Sequence, residues 1–178
     1  MITRVLIVLG ALIVLASLNV SILGKERLKR DGQVTYLELA PRDPRSLMQG
    51  DYMALRFRLA QDIESTWASG RNEADRDART APPTALDAVP HEGESRFASI
   101  VLDEQLIAHL AAAKTATRSG RFRYRVRNNA AWLGTNAFFF EEGSEERYRP
   151  ARYGEFRWDK DSGEAILVGL RDQKLKPL

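Results

Sequence analysis

Cysteine is absent from this 178-residue chain, and histidine occurs only at His91 and His109. Disulfides, zinc fingers, iron–sulfur centres and cysteine nucleophiles are therefore excluded. Two isolated histidines do not make a histidine-rich metal site either. Charge of one sign is also scarce: 27 basic residues interleave with 24 acidic ones, leaving a net +3. A nucleic-acid reader concentrates its basic charge, and this chain does not. No internal repeat is present, and the length fits one domain better than two. With 44% hydrophobic residues the chain is too apolar to be disordered, and with 29% charged residues it is too polar for a polytopic membrane protein. The expectation is a chain with no metal, no cofactor and no nucleic-acid partner.

One long hydrophobic run stands out. Residues 5–23 (VLIVLGALIVLASLNVSIL) carry no charge. At about 1.5 Å rise per residue they span roughly 28 Å as a helix, close to the hydrocarbon thickness of a bilayer. Arg4 before the run also fits a cleavable signal peptide, but residues 17–21 (SLNVS) offer no A-x-A cleavage pattern. The run is accordingly read as a retained, single-pass anchor in contact with membrane lipid, after a four-residue tail. Lys25, Arg27, Lys29 and Arg30 follow it. Taken alone, that charge would place the C-terminal part in the cytoplasm, yet long domains translocate regardless of flanking charge. The same residues can meet anionic headgroups. Flanking charge leaves the side of the membrane open.

After a juxtamembrane linker at residues 24–32, residues 33–178 read as one β-rich domain. Residues 33–40 and 96–103 carry strand-forming side chains. Residues 52–59 alternate, with Met53, Leu55, Phe57 and Leu59 on one side, and residues 121–128 alternate with Phe122, Tyr124 and Val126 inward. Residues 137–141, 153–159 and 165–170 complete the predicted strands, the last two as a hairpin. Helices are predicted over 60–69 and 104–113, and a charged, proline-containing loop over 70–94. The expected fold class is α+β, mainly antiparallel β, with one N-terminal transmembrane helix and short accessory helices.

The densest local pattern is residues 39–57, LAPRDPRSLMQGDYMALRF. Asp43 suits a helix N-cap and Pro44 the first helical position, with residues 45–48 completing a turn. Gly50 permits a positive φ before the strand at Tyr52, and Asp51 can accept backbone N–H groups there. Gly50, Asp51, Tyr52 and Leu55 match the motif of the bacterial membrane-anchored GDYXXLXY family, which the chain resembles; Phe57 stands where that motif closes on tyrosine. The resemblance extends through FFFEEGSEERYRPARYGEFRW and AILVGLRD. It implies one N-terminal helix in the inner membrane and a periplasmic domain, often encoded beside polytopic membrane proteins, with no established biochemical activity.

Catalytic patterns are weak. Ser46 with Leu47 and Met48 is superficially similar to the nucleophile region of signal-peptidase-like serine proteases, which need a desolvated lysine base. Lys114 is the nearest candidate, and it follows an alanine run with no supporting pattern. The carboxylates Glu141, Glu142, Glu145 and Glu146 lack the separated environments of a glycosidase pair and the spacing of an EF-hand. They read instead as a solvated tip able to neutralise the outward row Arg121, Arg123, Arg125 and Arg127 across strands. Of the three phenylalanines at 138–140, at least one is expected to face a second layer, a partner or the membrane surface; a strand buried on both sides is favoured over a partner-binding edge. The resulting expectation is a non-catalytic binding or assembly module whose partner is a polytopic membrane protein or another envelope protein. Its contact surface would be Asp43, Arg45, Ser46, Gly50, Asp51, Tyr52, Leu55 and Phe57, and the alternative is a membrane-tethered serine hydrolase using Ser46.

Overall fold

The structure is a computed structural model that describes residues 2–40, 48–49, 52–77, 91–111 and 119–178. In chain order the elements are α1 (Ile2–Asp31), β1 (Gln33–Glu38), β2 (Met48–Gln49), β3 (Tyr52–Ala54) and α2 (Arg58–Asp77). There follow β4 (Ser95–Leu102), β5 (Ala108–Leu110), β6 (Ser119–Arg127), β7 (Ala130–Trp132) and β8 (Ala137–Phe139). The chain closes with α3 (Glu145–Tyr148), β9 (Tyr153–Trp158) and β10 (Ala165–Arg171). The fold class is α+β and mainly antiparallel β.

Helix α1 is long and apolar enough to cross a membrane. Eleven of its large apolar side chains, from Leu6 to Leu23, are 52–70% exposed, an arrangement that water penalises and lipid does not. Two polar residues within its apolar run are satisfied inside the helix: Ser17 Oγ donates to the Val14 carbonyl at 2.8 Å and Asn19 Nδ2 to the Leu15 carbonyl at 2.8 Å. The helix does not stop at the end of the apolar run. Residues 25–30 (KERLKR) are good helix formers, so the segment expected as a linker continues α1 to Asp31. Gly32 then ends it, its N–H bonded to the Leu28 carbonyl at 2.9 Å. A Cβ on Gly32 would lie 2.4 Å from that carbonyl oxygen and 3.1 Å from the Arg157 Cβ, so only glycine lets helix and sheet approach this closely.

Among the described residues three antiparallel sheets form, in the orders β1-β9-β10, β2-β3-β8 and β5-β4-β6-β7. Isolated bridges join them: Tyr36 with Ile107 and Leu39 with Phe57. Alternation sets which face is buried. Phe122, Tyr124 and Val126 of β6 point into the core with Leu37, Ile100 and Phe156. Trp158 reaches from β9 across β6, where its Nε1 donates to the Arg121 carbonyl at 3.0 Å. Gly120 makes room for that indole. Two polar groups are buried as well. Among the described residues the Thr35 hydroxyl has no hydrogen-bond partner. Glu155 accepts from Arg171 Nε at 2.6 Å, with the Arg157 guanidinium 3.8 Å away.

Several expectations are corrected. Residues 52–59 keep their alternation, with Met53, Leu55, Phe57 and Leu59 all buried. The strand itself ends at Ala54, and helix α2 begins at Arg58. Helix α2 runs to Asp77, into the segment expected as a loop. Glu64 ties it to β7 by accepting the Ala131 N–H at 2.9 Å and pairing with Arg56 at 2.7 Å. Of the helix expected at 104–113, residues 104–110 form a turn followed by β5, and residues 112–113 lie outside the described residues. The Asp103 carboxylate takes the N–H groups of Gln105 and Ile107, and Leu106 adopts φ 64°, which returns the chain to pair with β4. Met48, placed in a helical turn by its sequence context, lies in β2 opposite Met53.

Candidate functional site

The motif divides into buried and surface residues. Leu55 is 5% and Phe57 2% exposed, and the Phe57 ring meets Phe156 edge-on at 5.3 Å. A phenylalanine suits this position because a buried phenolic hydroxyl would need a partner. Tyr52 is half-buried on β3, directly opposite Phe139 of β8, with ring centroids 5.7 Å apart. Phe139 is 74% exposed and is thus the phenylalanine that faces away from the core. Its neighbours Phe138 and Phe140 close on Tyr148, each at 5.1 Å. Asp43, Arg45, Ser46, Gly50 and Asp51 lie outside the described residues, as does Lys114.

Beside the Tyr52–Phe139 pair runs a groove of about 620 Å³. One wall is Phe138 and Phe139 of β8; the other is Ala165, Ile166 and Leu167 of β10, and both strands are outermost in their sheets. Arg123, Arg125 and Arg127 from the outward face of β6 line it, and Lys25 of α1 completes it. Among the described residues Glu164 is the one carboxylate lining the groove, and it is shared: Lys25 Nζ lies 2.6 Å from one oxygen and Arg123 3.1 Å from the other. Arg125 Nε donates to Ser95 Oγ at 3.2 Å, and the Arg127 guanidinium sits 4.2 Å above the Trp132 ring. Among the described residues neither Arg125 nor Arg127 has a carboxylate partner. The expected neutralisation by the Glu141–Glu146 cluster is absent from the described contacts, and Glu146 pairs with Arg149 at 2.7 Å instead.

The opposite flank of α1 is acidic. A second groove of about 420 Å³ there is lined by Asp31, Asp159, Asp161 and Glu164 against Arg27 and Lys160. The Asp161 N–H and the Ser162 hydroxyl bond the Asp159 carboxylate and hold its pKa below the ordinary value. Among the described residues no group of three acidic or histidine side chains is arranged to hold a metal ion.

Residues 14–170 match the family described as GDYXXLXY protein. The chain belongs to that family. No curated protein and no solved structure matches it.

Within this GDYXXLXY protein, sequence reasoning singled out Tyr52 but not its partner Phe139 as a specific pair. The signal available was the FFF run, which forces one ring outward. The groove had no comparable signal, because Lys25 and Glu164 are 139 residues apart.

Proposed function

We propose that this protein is a non-catalytic binding or assembly module of the bacterial inner membrane. Helix α1 anchors it, the β-rich domain stands on the periplasmic side, and its partner is another membrane or envelope protein. The observation that carries this reading is Phe139, 74% exposed on a strand that is outermost among the described residues of its sheet, and backed by the motif residue Tyr52. Exposed aromatic residues with supporting neighbours make efficient anchors at protein interfaces, and an open strand edge offers main-chain hydrogen bonds to an added strand. Holding the domain at the membrane raises its effective concentration near a partner in the same bilayer.

Replacing Phe139 by a photo-crosslinking benzoylphenylalanine in living cells tests the proposal. The expected product is a discrete adduct with one membrane or periplasmic protein, reduced by Tyr52→Ala. Absence of any protein adduct, with full complementation by Phe139→Ala, would overturn it. Labelling of Ser46 by an electrophilic serine probe, with function lost in Ser46→Ala, would support the hydrolase instead. Protease digestion of spheroplasts is expected to remove the domain from the outside and so establish its side.

A further inference from the structure

We infer that the groove between β8 and β10 is a binding site for the headgroup of an anionic phospholipid in the surrounding bilayer. The inference rests on α1 spanning the membrane. Lys25 lies two residues beyond Leu23, about 3 Å further along the helix axis, and a headgroup layer is about 5–7 Å thick. The groove mouth at Lys25 therefore opens within that layer. Arg125 and Arg127 lie on one face of β6, and alternate strand residues stand about 7 Å apart. With no carboxylate partner among the described residues, they flank a space suited to one phosphate. Glu164 neutralises Lys25 and Arg123 but does not pair with this couple.

The walls supply the rest of the fit. Ile166, Leu167 and Phe138 give an apolar lining on which the glycerol and first acyl carbons can lie. The acidic groove on the other flank of α1 repels the same headgroups, so the basic flank is the one drawn toward an anionic bilayer.

The test uses the full chain, purified in detergent with equimolar dioleoylphosphatidylglycerol and dioleoylphosphatidylcholine and read by native mass spectrometry. Each arginine is expected to contribute about fivefold to the preference for the anionic lipid, and the two together about thirtyfold. Arg125→Gln with Arg127→Gln is expected to bring retention of the two lipids close to parity at an unchanged melting temperature. Lys160→Gln, on the acidic flank, is expected to leave the preference intact. Equal retention of both lipids by the parent chain overturns the site. So does a Lys160→Gln loss matching that of one arginine, which signifies diffuse attraction. Binding of a hexa-aspartate peptide without any lipid preference also overturns it, in favour of an acidic protein segment. Extraction of the intact chain from membranes by alkaline carbonate defeats the anchor itself. Resistance to carbonate combined with lipid parity defeats only the groove.

Discussion

Gly120→Ala is expected to destabilise the domain although alanine is the better strand residue. In a strand interior the change alone would gain about 0.5–1 kcal/mol. Here the new Cβ would lie 2.3 Å from Cη2 and 2.5 Å from Cζ2 of Trp158. That ring is 2% exposed and its Nε1 is bonded to the Arg121 carbonyl, so it has little freedom to withdraw. Overpacking of a core by one methyl costs about 1–3 kcal/mol. With both contacts well inside van der Waals distance, the upper part of that range applies, for a net loss of about 2 kcal/mol. At about 2–4 °C per kcal/mol, the midpoint should fall by about 4–8 °C. Thermal unfolding of the detergent-solubilised protein, followed by near-ultraviolet circular dichroism, measures it. Trp158→Phe removes part of the obstructing ring, so the double variant should be less destabilised than the two single losses added, by about 1 kcal/mol or more. A Gly120→Ala midpoint at or above the parent's, or strict additivity in the double variant, refutes the argument.

Three other expectations follow from single contacts. Thr35→Val replaces an unpartnered buried hydroxyl by an isosteric methyl and should raise stability by about 1 kcal/mol in chemical denaturation. Glu155→Ala leaves the Arg171 guanidinium without its buried carboxylate and should cost about 3 kcal/mol in the same assay. Partial burial raises the pKa of Asp103, but the Ile107 N–H, the His109 ring and the Gln105 N–H together outweigh it and hold the group below 3.8. A depressed carboxylate stabilises the fold above its unfolded pKa and loses that contribution as pH falls through the folded value. Asp103→Asn should therefore lower the midpoint at neutral pH and flatten its decline on acidification below about pH 4, read by melting at a series of pH values.

What was legible in the sequence follows the range of the interactions involved. Strand β6 was readable because one face is buried and the period of two places Phe122, Tyr124 and Val126 together. Residues 104–110 are not a helix because the helix-forming run EQLIAHL is overruled by one carboxylate, Asp103, gathering two N–H groups. The alternation puts Leu55 and Phe57 on the apolar side that the structure buries, but it does not say that Tyr52 on the other side backs an exposed ring from β8. In sequence, the acidic cluster at Glu141–Glu146 is the natural counter-charge for the arginine row. The actual partner of Arg123 is Glu164, 41 residues away, brought there by the β9–β10 hairpin.

Because α1 runs unbroken from the apolar span to Asp31 beside the sheet, the span and the domain share one rotational phase. With 3.6 residues per turn, a single alanine inserted after Leu23 turns the lipid-facing surface by about 100° relative to the sheets, whereas four insertions bring it back to within about 40° and seven to within about 20°. A partner that grips both the span and the domain would thus tolerate changes in helix length in steps of a full turn, and reject those between.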